Sequence, residues 1–247
     1  MSAILQIKNI RKTYGDKGYE FVALKNINLK INEKEFVAIM GPSGSGKTTL
    51  LNCISTIDKV SSGDIYIDGM DLNTMSKKEL AKFRREKLGF IFQDFNLIDT
   101  LDVYGNIALA MTINNADKKC IDNKVKDIAE KLKIGNILNK YPYQISGGQK
   151  QRCACARAIV NNPKLVLADE PTGALDSKNS EELLELLQYM NRELNVTIVM
   201  VTHDAMVAGY SDKVLFLKDG EIANEIVKSD ADNDDFYNKI FSYIRSK

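Results

Sequence analysis

Between the apolar run Phe36–Met40 and the helix-forming run at residues 50–54 stands Gly41-Pro42-Ser43-Gly44-Ser45-Gly46-Lys47-Thr48-Thr49. A strand, a glycine loop, then Gly-Lys-Thr opening a helix is the context that a phosphate-binding loop requires. The glycines permit backbone angles that a Cβ would forbid. Successive N–H groups can then converge on phosphate oxygens, backed by the positive end of the following helix. Lys47 is placed to reach the β and γ phosphates, and Thr48 to hold a magnesium ion. The loop implies a nucleoside triphosphate, without saying which base or what the energy drives.

Two further stretches carry chemistry. Leu165-Val166-Leu167-Ala168-Asp169-Glu170 is an apolar strand ending in two acids. Asp169 fits the second magnesium station of a phosphate-loop enzyme. Glu170 can polarise a water for attack on the γ-phosphate, as a general base does. The bland alternative is that the two acids only cap the next helix, near Pro171. In Tyr141-Pro142-Tyr143-Gln144-Ile145-Ser146-Gly147-Gly148-Gln149, Ser146 and Gln149 have capping-box spacing. Two glycines in a first helical turn cost roughly 1 kcal/mol each. A helix start with a hydroxyl and bare N–H groups is a second anion site, or else a plain cap.

The elements that must position these residues follow from pattern. Residues 5–10 and 24–31 alternate as half-buried antiparallel strands. Asp68-Gly69 marks a hairpin turn, and Ser76 caps a charged helix running to Lys87. Residues 88–92 read as a short apolar strand ending at Gln93. Helical periodicity dominates about 94–160, with segments at 103–111, at 121–132 and from Ser146, and no convincing strand. Strands return at 165–168 and 197–202, joined by an amphipathic helix at 181–194, an order that implies a right-handed parallel crossover. Val214-Leu215-Phe216-Leu217, Asp219-Gly220 and Glu221-Ile222 close as a hairpin. The fold class is α/β: a phosphate-loop core with a parallel sheet, an N-terminal antiparallel β subdomain and an inserted α-helical subdomain.

Bulk properties bound the function. The chain has 247 residues, 44% apolar and 27% charged, with a formal net charge of +1. That is ordinary for a soluble globular domain, and no overall field recruits nucleic acid or anionic lipid. No apolar run approaches the ~20 residues that cross a bilayer. The N-terminus lacks the pattern of a signal peptide, so a cytoplasmic protein is expected. Cys53, Cys120, Cys153 and Cys155 match no zinc spacing and read as reduced thiols, with Cys153 and Cys155 on different faces of one helix.

These stations together resemble the ATP-binding cassette ATPases. Ile145-Ser146-Gly147-Gly148-Gln149 is similar to that family's signature sequence, with Ile145 where Leu is usual. The resemblance covers roughly residues 3–227, leaving 228–247 as a charged tail that can form a terminal helix. It implies ATP and magnesium as ligands, with Tyr14 stacking on adenine and Val22 against the sugar. Gln93 would touch magnesium and the attacking water, and His203, the only histidine, would contact the γ-phosphate. Ala174-Leu175-Asp176 would cross an interface between two cassettes. Ser146 and its helix would bind the γ-phosphate held by a second copy of the chain, in a head-to-tail dimer. A separate integral membrane permease is the implied partner, which would place the chain at the inner face of the membrane. Phe95, Leu97, Ile98, Leu101 and Tyr104 form an apolar stretch suited to docking it, or else plain core. Residues 169–176 resemble the branch of lipoprotein-release, macrolide-export and peptide-resistance ATPases, and residues 51–58 its bacitracin-type members. A rival reading is an ATPase that powers signalling or remodelling rather than transport. A GTPase switch lacks its Asn-Lys-x-Asp stretch here.

Overall fold

Alternating apolar side chains set up the first sheet. β1 (Ala3–Tyr14) and β2 (Phe21–Asn32) pair antiparallel from Ala3 opposite Asn32 to Tyr14 opposite Phe21. Leu5, Ile7 and Ile10 from β1 and Leu24, Ile27 and Ile31 from β2 are buried. β3 (Phe36–Met40) leads into the glycine loop and α1 (Lys47–Ile54). β4 (Ser62–Ile67) joins the free edge of β1, and β5 (Met70–Asp71) turns back on it. The turn between them is Asp68-Gly69, with φ of 52° and 73°, the two positive angles of a type I′ hairpin.

This computed structural model describes residues 2–16, 18–173, 175–229 and 233–246. The chain divides into two compact units, Met1–Leu80 with Thr197–Lys247, and Ala81–Val196. In the first unit, β8 (Ile198–Thr202) and β9 (Lys213–Lys218) flank β3, both parallel to it, and β10 (Glu221–Val227) closes an antiparallel hairpin on β9. Every residue of β3 and β8 is buried. Strands covered on both faces read as continuous apolar runs, because neither face meets water.

The second unit begins within α2 (Lys77–Lys87), whose start is a reciprocal cap: Ser76 N–H donates to Glu79 Oε2 at 2.8 Å and Glu79 N–H to Ser76 Oγ at 3.3 Å. β6 (Leu88–Phe92) and β7 (Leu165–Asp169) pair parallel, with Phe92 opposite Asp169. Between them come α3 (Val103–Thr112), α4 (Lys118–Lys131) and α5 (Gly147–Ile159), packed on one another, with α5 also against β6. α6 (Ser177–Arg192) follows β7. It starts four residues before the expected 181 because Asp176 accepts the Asn179 N–H at 2.8 Å and caps it there. Back in the first unit, the four-residue α7 (Ala205–Ala208) follows β8, and α8 (Asn233–Arg245) ends the chain.

α8 forms in the charged tail, where the sequence allowed a terminal helix, and it carries an apolar stripe beside the charges. Phe236 and Ile240 are buried, and the Tyr243 ring lies 4.3 Å from that of Phe216. Its apolar stripe docks on the first unit, chiefly against α7. Among the described residues, no helix is long and apolar enough to cross a membrane. Cys53, Cys153 and Cys155 are buried free thiols and Cys120 is exposed. Burial pushes the first three up to about 12, so they stay protonated and inert.

The segment between β6 and α3 has no secondary structure of its own, yet two side chains fix it. Asn106, 1% exposed, donates to the carbonyls of Ile98, Leu101 and Asp102, each at 3.0 Å, and accepts the Ile98 N–H at 2.8 Å. Arg157 donates to the carbonyls of Asn96 at 2.5 Å and Phe95 at 2.7 Å. Replacing Asn106 with Ala strands several of these backbone groups. We expect a stability loss of about 2–4 kcal/mol, read as a lower urea midpoint at unchanged slope. An unshifted midpoint would show that Asn106 does not hold the segment.

Candidate functional site

The first unit builds a phosphate cradle. β3 and β8 are parallel and end together, Met40 opposite Thr202. The residues that follow, Gly41 and His203, therefore emerge at the same carboxyl edge, where ligands bind in such sheets. A Cβ on Gly41 would run into the Leu217 carbonyl, and one on Gly46 would lie 2.7 Å from the Ala23 carbonyl with φ at +103°. Only glycine lets the loop pass so close to its neighbours. Lys47 is buried, its Nζ donating to the carbonyls of Gly41 at 2.8 Å and Pro42 at 2.9 Å. Ser45 Oγ is buried with no hydrogen-bond partner. Gly46 offers α1 no side-chain cap. A buried ammonium, a buried hydroxyl lacking an acceptor and an uncapped helix start form a donor set that a phosphate chain satisfies. Pro42, Ser43, Gly44 and Thr48 are exposed and Thr49 is half-buried. His203 lines a cavity of about 430 Å³ with Met40, Gly41, Pro42, Phe216 and Tyr243.

Tyr14 ends β1 with 39% of its surface exposed. Its hydroxyl donates to Asp58 Oδ2 at 2.5 Å, and Lys12 Nζ lies 4.6 Å from its ring centroid. Burial, then the Asp58 bond, raises the phenol above its ordinary value. Burial alone would raise Asp58 too, but hydrogen bonds from Lys12 and Tyr14 and the Lys12 charge outweigh it, and its carboxyl is held below the usual range. Val22 pairs with Thr13, one step from the Tyr14–Phe21 pair, and lines a pocket with Asn9, Arg11, Lys25, Asn26 and Ser62.

The second unit holds the acids. Because β6 and β7 end together, Gln93 and Glu170 both follow the carboxyl ends of one parallel pair. Asp169 is half-buried, and Glu170 has a left-handed backbone with φ of 45°. For a residue with a Cβ that conformation costs on the order of 1 kcal/mol, and such strain clusters at functional sites. Neither acid caps α6, since Asp176 does, so the plain-cap reading of the pair fails. Gln93 is exposed and packs on Gly173, where a Cβ would lie 2.9 Å from its Cδ and Nε2. Of the stretch 174–176, Ala174 lies outside the described residues.

Ser146 makes the reciprocal cap its spacing suggested. Its Oγ accepts the Gln149 N–H at 3.3 Å, and Gln149 Oε1 accepts the Ser146 N–H at 3.0 Å. Ser146 and Gly147 are exposed. A Cβ on Gly147 would meet nothing within 4 Å, whereas one on Gly148 would stand 3.4 Å from Asn179 Oδ1. A methyl at 148 would thus make ordinary contact with α6, and one at 147 would meet nothing among the described residues. Phe95, Leu97, Leu101 and Tyr104 are half-buried and Ile98 is 40% exposed, so none of the apolar stretch is plain core. Sequence reasoning missed Lys12, Asp58 and Arg157. No motif marks them, and their roles arise from contacts between residues far apart in the chain.

A family model described as ABC transporter matches residues 24–173. The bacitracin export ATP-binding protein of Halalkalibacterium halodurans is 50% identical over 96% of this chain and 94% of its own. An ABC transporter ATP-binding protein of Bacillus subtilis is 50% identical over 99% of this chain and 94% of its own. The macrolide export ATP-binding/permease protein of Rhodopirellula baltica is 42% identical over 90% of this chain and 33% of its own length. A solved dimeric ATP-binding cassette of Methanocaldococcus jannaschii, in a post-hydrolysis state bound to ADP and Pi, superposes with a TM-score of 0.79. It is 43% identical and covers 90% of this chain and 98% of its own.

Gly46→Ala tests the cradle. The added methyl combines a forbidden backbone angle with a clash on the Ala23 carbonyl. We expect at least a tenfold weaker affinity for ATP in a titration; wild-type affinity would mean the loop does not close on phosphate as drawn.

Proposed function

We propose, for a chain that belongs to the ABC transporter family of ATPases, a head-to-tail pair of copies that hydrolyses ATP to drive a separate integral membrane permease. The observation that carries the pairing is the start of α5. Ser146 is exposed on a capped helix N-terminus, and beside it Gly147 presents bare backbone to open space. That is an anion site open to a ligand from outside its own helix. A γ-phosphate held by a second copy is the natural occupant, with the hydroxyl and helix dipole stabilising charge as an arginine finger does elsewhere.

Within each copy the roles follow from chemistry. The loop N–H groups, Ser45 and Lys47 hold the triphosphate, and Tyr14 stacks on the base. Thr48 and Asp169 are hard oxygen donors, fitted to magnesium, which when bound neutralises phosphate charge. Gln93 orients the attacking water. Glu170 takes a proton from that water as its oxygen bonds to the γ-phosphorus and the bond to ADP breaks. His203 steadies the γ-phosphate from the edge it shares with Gly41. Asp176, already engaged as a cap, lies in the stretch that would face the partner copy.

The permease would meet the stretch from Phe95 to Tyr104, an apolar surface held in place by Arg157 and Asn106. Such an assembly sits on the cytoplasmic side of the membrane. The bacitracin export relative, half identical along nearly its whole length, supports antimicrobial peptide export as the process driven.

Glu170→Gln is expected to bind ATP normally, to turn over at least about a hundredfold more slowly, and to accumulate as a dimer in ATP on size-exclusion chromatography. Normal turnover would remove Glu170 as the base. Gly147→Ala touches nothing in its own chain and replaces a helical glycine, so its melting temperature should hold or rise. Its ATP affinity as a monomer should also hold, while ATP-driven dimerisation and turnover fall. A variant that dimerises and turns over like the wild type would end the two-copy account.

A further inference from the structure

Lys12 is a charged side chain only 8% exposed. Its Nζ donates to Asp58 Oδ1 at 2.5 Å and to the Lys59 carbonyl at 2.8 Å, while covering one face of the Tyr14 ring at 4.6 Å. The second carboxylate oxygen of Asp58 takes the Tyr14 hydroxyl at 2.5 Å. Desolvating an ammonium and a carboxylate offsets much of what their attraction returns, so a pair of this kind is a weak device for stability. It is a strong device for geometry. One ring face is covered by a cation, and the hydroxyl is tied down at the opposite end of the ring from the backbone. Both side-chain torsions of Tyr14 are therefore fixed before any ligand arrives.

Asp58 belongs to the turn that ends α1. The N–H groups of Ile57 and Asp58 both donate to the Asn52 carbonyl at 3.1 Å, and Thr56 has a φ of 60°. The same helix begins at Lys47, in the phosphate cradle. Its 8 residues rise about 1.5 Å each, so α1 acts as a rigid spacer. The phosphate end of the site is fixed to its start, and the Tyr14 ring is fixed to its finish. A nucleotide likewise holds its base at a set distance from its triphosphate. A ring that was free to turn would have to be ordered at each binding event, and that cost would subtract from affinity.

We propose that Asp58, held by Lys12, is a positioning residue that presets the Tyr14 ring as the platform for the nucleotide base. The inference rests on the reading of Tyr14 as the base-stacking residue. It assigns Asp58 a share of the affinity for the base and none of the affinity for the triphosphate.

The test compares two probes on the full chain by calorimetry in EDTA, where turnover stops: ATP, and inorganic tripolyphosphate, which has no base. Tyr14→Ala should weaken ATP at least about tenfold, the scale of one lost stacking contact, and leave tripolyphosphate unchanged. Asp58→Asn and Tyr14→Phe should each weaken ATP by roughly three- to tenfold, part of that stacking, again without touching tripolyphosphate. Because both variants break the same bond, the double variant should fall no further than Asp58→Asn alone. Lys12→Met frees the same carboxylate from the other side and stands in should Asp58→Asn fail to fold. If Tyr14→Ala binds ATP like the wild type, the base-stacking reading itself is wrong. If it weakens ATP while Asp58→Asn, Lys12→Met and Tyr14→Phe do not, Asp58 presets nothing. Equal losses for both probes would make Asp58 a general support of the fold, which also overturns the proposal.

Discussion

All of β3 is buried, and its backbone bonds to β8 on one side and β9 on the other. A strand enclosed in this way has no face to offer a ligand, so chemistry can appear only where it stops. Parallel pairing then makes neighbouring strands stop at the same edge. That constraint places Gly41 with His203 in one unit, and Gln93 with Glu170 in the other. The glycine loop, the acids and the single histidine need no separate positioning devices, because the register of the two parallel ladders sets their places. A one-residue slip in either ladder would displace both members of its pair.

At those strand ends the backbone takes conformations that ordinary packing would avoid. Gly46 has φ of +103° beside the Ala23 carbonyl, and Glu170 reaches 45° despite its Cβ. Phe95 and Asn96 are both left-handed, at 58° and 48°. Each of these costs free energy that the surroundings must supply, and the means differ. Glycine removes the penalty at 46. A guanidinium secures 95 and 96, since Arg157 bonds both carbonyls and is held there at the expense of its own hydration, which lowers its pKa. The strained positions lie where the chemistry is expected, and the unstrained strands behind them hold them in place.

What could be read from the sequence divides along the range of the interactions. The strands, the Asp68-Gly69 and Asp219-Gly220 turns, the Ser76 and Ser146 caps and the loop glycines are local, and local residue types announce them. Where that reading slipped, a tertiary contact or a choice between neighbours decided. The start of α6 depended on Asp176 rather than a later residue acting as cap. The pairing of Val22 with Thr13 is a register that only the folded sheet reveals. The charge of the tail and its capacity for a helix were legible, but Phe236, Ile240 and Tyr243 are spaced among acids and lysines, and their stripe shows only once the helix forms. Lys12, Asp58, Asn106 and Arg157 carry no signal at all, since each acts on residues brought near by the fold.

Asn106 and Arg157 also explain why an apolar stretch can remain near the surface without collapsing. Left to itself, a run such as Phe95 to Leu101 would fold its side chains inward, because burying each favours the fold by roughly 1–3 kcal/mol. Here the backbone polar groups are claimed first, by Asn106 at Ile98, Leu101 and Asp102 and by Arg157 at Phe95 and Asn96. Rearrangement would break those bonds in a half-buried setting, where each lost partner leaves a polar group unsatisfied at about 1–3 kcal/mol. The two quantities are comparable, and the bonds are several, so the extended arrangement holds. Ile98 is left 40% exposed on a rigid backbone. For a surface proposed to meet a membrane partner, that rigidity lowers the ordering cost of docking. The segment also starts directly after Gln93, and its anchor Arg157 stands on α5, the helix that Ser146 caps. In the proposed assembly, a push on the segment would reach both Gln93 and the start of α5.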